Sequence, residues 1–563
     1  MKADILLIHP PSLYDFREKA VYYGPISDVV PSTPVFELYP VGFLSIFTHL
    51  GERGYKVRIL NLAARMLMSS KYDPERAIKK AEAEVYGIDL HWLVHVQGAV
   101  EVAKLVKKYH PDKPVVFGGV SATIFWREIL ENYPFVDFVM LGDSVEKPLE
   151  VLLRGLLNGE KSLDDVPNLA WRKGGRIKVT GIKWVPKSLD ECSIDYGYVI
   201  KESLRSGDIL SSIPFAKFLS EPIGTSLSLK GCVYECITCG GSRFAYKRLL
   251  NRDFVAFKSP QKIVEEINSL QEYMRIPVFI LGDIQLMGRR NVELLSKLLH
   301  ESKVDTTIFF EFFKPPSRDL LSVIRKACPR IVLQISPESH EEHIRWAFGR
   351  RYGNNELIHF IRNVLELKFE KLDLYFMIGL PGQEFESVME IPSFVENIIK
   401  ETRPSKGVID PFIAPLAPFI DPGSKVYANP ERYGYKLFFK SLEEHRTAIE
   451  KAVNWKYLLN YETKWMKREE IVRATYEAAE KMIRVKIKYG VVSEEDGLRT
   501  INLIRKIKDV ISSDELKLRL NKPITVREIV PKGDLYPTRQ LILSLKPKVL
   551  IALLEGLIRR CIS

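Results

Sequence analysis

Apolar and polar positions along the first 155 residues alternate between two periods. Aliphatic runs at 4–9, 56–60, 85–90, 114–117 and 136–141 read as strands. Between them, over 41–53, 74–83, 97–109, 123–132 and 146–157, apolar residues recur every third or fourth position, which predicts helices. Strand and helix in strict alternation imply a parallel, doubly wound sheet. Gly118-Gly119 closes the fourth of these strands and Gly142-Asp143 the fifth, at the C-terminal ends where open α/β sheets bind ligands. Over 158–222 the periodicity weakens, and this stretch reads as a linker or small subdomain. Alternation resumes with strands at 226–230, 278–281, 307–313, 331–336, 371–378 and 408–413. Six βα units suggest a full or partial parallel barrel over 223–430, with its chemistry at the strand C-terminal ends. The remainder, 431–563, is mostly helical, including 442–453 and 468–489. The expected organisation is therefore an α/β domain (1–157), the linker, the barrel and a helical C-terminal region.

Composition narrows the class. With 46% hydrophobic and 27% charged residues in 563 positions, the chain is a folded protein of more than one core. Every longer apolar stretch is broken by charge or Pro before the ~18 residues that a membrane span needs. Met1 to Pro10 runs straight into a strand without a cleavage site, so no signal peptide is expected. Six cysteines are too few for a disulfide framework and point to a reducing cytoplasm. The formal charge of +12 suits nucleic acid, anionic lipid, a phosphorylated cofactor or merely a solvated lysine-rich surface, and does not choose among them. A GxxxxGKS/T phosphate loop is absent, and His340-Glu341-Glu342-His343 lacks the HExxH metal spacing.

The chemistry is concentrated in GCVYECITCGGS, where Cys232, Cys236 and Cys239 are spaced CxxxCxxC after the first barrel strand. Three thiolates on one loop can hold three irons of a cubane and leave the fourth open, whereas electron-transfer clusters use four cysteines. A zinc site is the alternative, but it wants a fourth ligand and no His lies in or soon after the loop. Cys192, Cys328 and Cys561 stand apart and read as small buried hydrophobes.

On this motif the chain resembles the radical S-adenosylmethionine (SAM) superfamily. The resemblance implies a partial (β/α)6 barrel and a [4Fe-4S] cluster on the three cysteines. It also implies SAM chelated to the open iron, an external electron donor such as ferredoxin or flavodoxin, and reductive cleavage of SAM to a 5'-deoxyadenosyl radical. Gly282-Asp283 stands where the family carries a Gly-Gly-Glu segment for the SAM amino group, although Asp283 also suits a helix N-cap. Ser336 and Glu338 follow the fourth barrel strand, where relatives contact the SAM ribose and carboxylate, and Gly379 follows the fifth, where backbone meets adenine; turn chemistry is the plainer alternative for both segments. Thr238 replaces the usual aromatic residue before the third cysteine, which bears on adenine stacking and not on the cluster.

The first 157 residues resemble the Rossmann-like cobalamin-binding domain that precedes the barrel in class B radical SAM enzymes, on PVVFGGVSAT and VMLGDSVEKPLEVLL. The resemblance assigns Gly118, Gly119, Gly142 and Asp143 to the corrinoid. The loop after the first strand reads HPPSLYDF and lacks the DxHxxG anchor; His91 is read as structural, which leaves no protein histidine on cobalt. The class implies methylation of an unactivated carbon, one SAM supplying the methyl by way of cobalamin and a second the radical. Radical ring formation or C–C coupling without methyl transfer, as in related anaerobic cyclases and archaeal lipid ring synthases, is the alternative, and a non-catalytic iron-sulfur or tetrapyrrole carrier is a third. Methylthiotransferases are set aside, because the first domain lacks their three additional cysteines, and no nucleic-acid partner is expected.

A last pattern concerns the substrate. In 548–560, Leu550, Leu553, Leu554 and Leu557 form one apolar stripe opposite Lys548, Ala552, Glu555 and Arg559. The stripe fits an interfacial helix on an anionic membrane, and with it a lipid or isoprenoid substrate, and fits equally a helix docked on the protein's own core. Cys561 is third from the end, not at the prenylation position.

Overall fold

The computed structural model describes residues 2–18, 24–25, 27–30, 37–159, 162–416, 419–512 and 537–562. Its first sheet contains β1 (Ala3–His9), β2 (Val57–Asn61), β3 (Ala83–Asp89), β4 (Val115–Gly118), β5 (Phe138–Met140), β6 (Leu169–Lys173) and β7 (Arg176–Val179). The spatial order is β2-β1-β3-β4-β5-β6-β7, with β1 to β5 parallel. Helices cover both faces, which is why β1 is nearly continuous apolar sequence rather than alternating. The helix Val96–Tyr109 shows how the cover is made: Val96, Ala99, Val100, Ala103 and Val106 are buried, while Lys104 and Lys108 face out. Strand order reverses between β1 and β3, so a crevice opens above their C-terminal ends.

Residues 158–222 are more ordered than their weak periodicity suggests. β6 pairs antiparallel with β5, Phe138 opposite Trp171, and extends the first sheet. β6 and β7 turn through Gly174 and Gly175, both at positive φ (58° and 74°), the geometry of a tight two-residue hairpin. Exposed β7 carries no apolar run that would have marked it.

The second sheet holds β8 (Gly224–Leu227), β11 (Val278–Leu281), β12 (Ile308–Phe312), β13 (Ile331–Glu338), β14 (Lys371–Ile378) and β15 (Ile409–Pro415), while β9 (Leu229–Lys230) and β10 (Ala256–Phe257) form a small antiparallel pair. The order β15-β14-β13-β12-β11-β8 is parallel throughout and leaves β8 and β15 as edges, so the barrel is partial. Glu266, buried on the helix Pro260–Gln271, accepts hydrogen bonds from Ser226 of β8, from Lys258 and from the Ile194 N–H at 2.7 Å. One carboxylate thus ties the first barrel strand to the segment that leads into it.

At the other edge, the helix Arg468–Lys488 packs across β15. Its Lys486 is fully buried, 3.0 Å from both Asp28 and Asp410 and 4.0 Å over the Phe412 ring. Asp28 also accepts the Ile413 N–H at 3.0 Å, and burial holds its carboxyl above the ordinary value against the pull of Lys486. Removing the lysine strands the buried carboxylate of Asp28, while Asp410 keeps Lys371 at 2.5 Å. Lys486→Ala is expected to cost about 3–5 kcal/mol in chemical denaturation; a loss within the error of a surface substitution would show that the triad carries no stability.

Candidate functional site

The cysteine loop follows β9 directly. Cys236 is buried and Cys232 and Cys239 are half-buried, and the Tyr234 N–H points to Cys232 Sγ (3.4 Å) and the Gly241 N–H to Cys239 Sγ (3.3 Å). Backbone donors of this kind stabilise cluster-bound thiolates. Burial lifts all three thiols above their ordinary value, Cys236 to about 11, so deprotonation there calls for bound cationic metal. Among the described residues the three sulfurs are not a set of ligand atoms within 4.8 Å of one another.

What seats this loop was not legible in the motif. The Ile237 N–H donates to the Phe348 carbonyl at 2.9 Å, and a Cβ on Gly349 (φ 131°) would stand 2.9 Å from Cys236 Cα. The close approach delivers the next residue, Arg350, to the loop. Its guanidinium lies 4.4 Å over the Phe313 ring and 5.3 Å over Tyr234, and 3.4 Å from Glu338. Glu338 sits at φ 67° at the end of β13, and burial raises its carboxyl to about 7 despite Arg350. Glu338 Oε2 and Arg350 Nη1 are buried without hydrogen-bond partners, and a zwitterion such as the methionine end of SAM would satisfy both.

The other rim positions lie at neighbouring strand ends. Asp283, after β11, accepts the Gln285 N–H (3.1 Å) and the Phe313 N–H (3.0 Å), so its carboxylate caps the short turn Ile284–Met287. Beside it, the Gly282 N–H donates to Glu311, a carboxylate that the motif search did not single out. The Ser336 carbonyl accepts from Tyr352 (3.2 Å). Gly379, after β14, donates to Gln383 (2.8 Å) and accepts from Tyr435 (2.8 Å). The five positions expected to meet SAM thus lie at the C-terminal ends of β11, β13 and β14, and Glu338 is tied to the cysteine loop through Arg350.

Gly118, Gly119, Gly142 and Asp143 line a cavity of about 1220 Å³. A Cβ on Gly118 would meet nothing within 4 Å, so the backbone there is open to a bulky ligand. Thr123 Oγ1 accepts the Gly142 N–H (3.0 Å) and donates to the Gly119 carbonyl (2.9 Å), tying the two glycine loops together. Asp143 turns its carboxylate the other way, into a two-pronged ion pair with Arg252 at 2.5 and 3.0 Å. Leu227, Leu229, Lys230 and Leu281 of the barrel form the far wall, so one mostly apolar space joins the glycine loops to the residues just before Cys232. Below it, His9 donates or accepts at Asp89 (2.9 Å) and packs edge-on to His95, fixing the ends of β1 and β3. His91 stands in the cavity wall, burial pulling its imidazole below the ordinary value.

A sheet with ligand-facing glycine loops, joined to a partial barrel with three cysteines after its first strand, defines a radical SAM enzyme with a corrinoid-type domain. Residues 28–152 match the B12 binding domain and residues 227–395 the Radical SAM superfamily. The chain belongs to the cobalamin-binding-domain radical SAM enzymes, whose cofactors are a [4Fe-4S] cluster, SAM and cobalamin. It is 26% identical over 191 residues to an anaerobic magnesium-protoporphyrin IX monomethyl ester cyclase of Cereibacter sphaeroides (33% of this chain, 28% of that one). It is 24% identical over 259 residues to the hopanoid C-3 methylase of Methylococcus capsulatus (45% and 44%). The matched region thus spans less than half of either relative. The fold is shared with the cobalamin-dependent SAM radical enzyme OxsB with aqua-cobalamin and SAM bound (TM-score 0.55, 12% identity, 100% of this chain and 82% of that one). It is shared also with the methyltransferase TsrM of Kitasatospora setae with cobalamin and [4Fe-4S] cluster bound (TM-score 0.54, 13%, 78% and 77%).

The Arg350–Glu338 pair gives a direct test of the rim. Arg350→Ala leaves a buried carboxylate without its counter-charge and is expected to cost about 3–5 kcal/mol. Adding Glu338→Gln should recover a large part of that loss, because the neutral amide no longer needs the partner. Purely additive costs in urea denaturation would mean that the two side chains do not act as a pair.

Proposed function

We propose that the chain methylates an unactivated carbon of an apolar substrate, a lipid or isoprenoid, held in the cavity between the glycine loops and the barrel. The observation that carries this reading is that cavity: apolar walls, corrinoid-type loops at one end and the approach to the cysteine loop at the other. When bound, the cluster with SAM supplies a hydrogen-abstracting radical and cobalamin supplies the methyl group.

The chain's own residues do the rest. Cys232, Cys236 and Cys239 would hold the cluster, and Arg350 and Glu338 would orient the charged end of SAM. Gly118, with open space where a side chain would stand, would let backbone approach the corrin, while Gly119 and Gly142 make room for His91 and Asn168 behind the loops. Leu227, Leu229 and Leu281 exclude water from the space where a carbon radical would form. Lys230 bridges the two ends, its ammonium 2.7 Å from the Asp143 carbonyl and 2.9 Å from the Ser144 hydroxyl. The cyclase likeness favours a second reading, ring closure or C–C coupling in the same cavity without methyl transfer.

Protein purified without oxygen and loaded with iron, sulfide and cobalamin is expected to cleave SAM to 5'-deoxyadenosine when given a strong reductant. With methyl-deuterated SAM and a lipid extract, the label should move into a lipid. Radical formation without label in the lipid fraction would exclude lipid methylation, and a product lighter by two hydrogens would select ring closure. The triple change Cys232→Ala, Cys236→Ala, Cys239→Ala should lose about four irons per chain together with SAM cleavage.

A further inference from the structure

We infer that the helices Arg539–Ser544 and Pro547–Ile562 form a docking face for an anionic lipid bilayer. The second helix does not dock as a leucine stripe would suggest. It is held to the body by Val549, Ala552 and Gly556, a Cβ on Gly556 lying only 2.8 Å from Arg205 Cα. Glu555 pairs with Arg205, and Lys548 with Glu272 at 2.7 Å. Both of these ion pairs run from the helix to the body of the protein, although Lys548 stays exposed at its edge. Leu550, Leu554 and Leu557 turn outward instead, 65%, 58% and 52% exposed, and Leu543 of the first helix is 73% exposed.

The opposite side of the same two helices is also apolar. Leu541, Leu545, Val549 and Leu553, at every fourth position, line the interdomain cavity. Backbone bonds from Thr538 to Leu219 (3.1 Å), from Arg275 to Ser544 (2.8 Å) and from Lys546 to Tyr273 (2.8 Å) fix them as its roof. Ile209 lines the cavity as well and, with Leu210 beside it in sequence, is partly exposed. Contiguous large apolar side chains in water mark a binding surface. Arg539, Lys546 and Lys548 are exposed among them, and the chain carries +12 overall. A second copy would bring these like charges face to face, whereas anionic headgroups complement them while the leucines enter the acyl boundary. Among the described residues no helix is long and apolar enough to cross a membrane, so the contact is peripheral. That an apolar substrate passes beneath this roof from the bilayer rests on the function proposed above; the docking itself does not.

The test is co-sedimentation of the full chain with vesicles of phosphatidylcholine alone and of phosphatidylcholine with phosphatidylglycerol, at low and physiological salt. The wild type is expected to sediment with the anionic vesicles, more strongly at low salt. The variant Leu550→Glu/Leu554→Glu/Leu557→Glu should bind about tenfold less or weaker still, with unchanged thermal melting and unchanged SAM cleavage. Wild type that stays in the supernatant, whether monomeric or self-associated, overturns the inference, as does a variant that sediments equally. Absence of SAM cleavage in a vesicle-binding wild type would count against the proposed reaction and leave the docking intact.

Discussion

Arg252 spends its whole guanidinium on holding two domains together. Its side chain is fully buried, grips Asp143 with two nitrogens, and gives a third bond to the Pro186 carbonyl at 2.9 Å. Lys230 reaches the same loop from the strand that leads into the cysteines. Charges so buried are costly unless every partner is present, so the loop after β5 and the loop after β9 have little freedom to separate. Because Cys232 follows Lys230 by two residues, the clamp sets the distance between the cysteine loop and the glycine loop after β5. Radical chemistry across a cavity depends on that distance more than on any single contact with the substrate.

Much of the fold was legible because β1 to β5 and the whole second sheet are parallel and largely buried. Such strands write themselves as dense aliphatic runs, and β1, β11 and β14 were found close to their ends in this way. The hairpin of β6 and β7 escapes this pattern because the apolar run of β6 is only three residues long and β7, at the sheet edge, is largely in water. The cysteine spacing announced the cluster loop, since three thiols in eight residues serve few other purposes. Arg350 and Glu311 could not be found by that route, for their roles arise from close approaches between distant strand ends. A sign was present in Gly349, a helix-ending glycine directly before an arginine.

The aspartates show how position outranks residue type. Asp283 and Asp143 both follow a glycine at a strand end, where a carboxylate facing a cofactor is the natural expectation. Asp283 is taken up by two backbone N–H groups and Asp143 by a guanidinium. Each carboxylate braces its own loop through these partners. The same holds for the leucines at 550, 554 and 557, whose orientation was decided by the small residues Ala552 and Gly556 allowing the other side of the helix to pack closer.

The triad of Asp28, Lys486 and Asp410 bears on how the molecule is made. Synthesis proceeds from the N-terminus, and domains tend to fold as they emerge. Here the carboxylate of Asp28 is held against a barrel strand by a lysine that leaves the ribosome only after nearly all of the barrel. Until then Asp28 lacks the cation it meets in the finished fold, and Asp410 has Lys371 of the neighbouring strand. The seating of residues 27–30 against the last barrel strand is thereby postponed until the helix that follows the barrel has been made, so the first domain and this barrel edge lock together late.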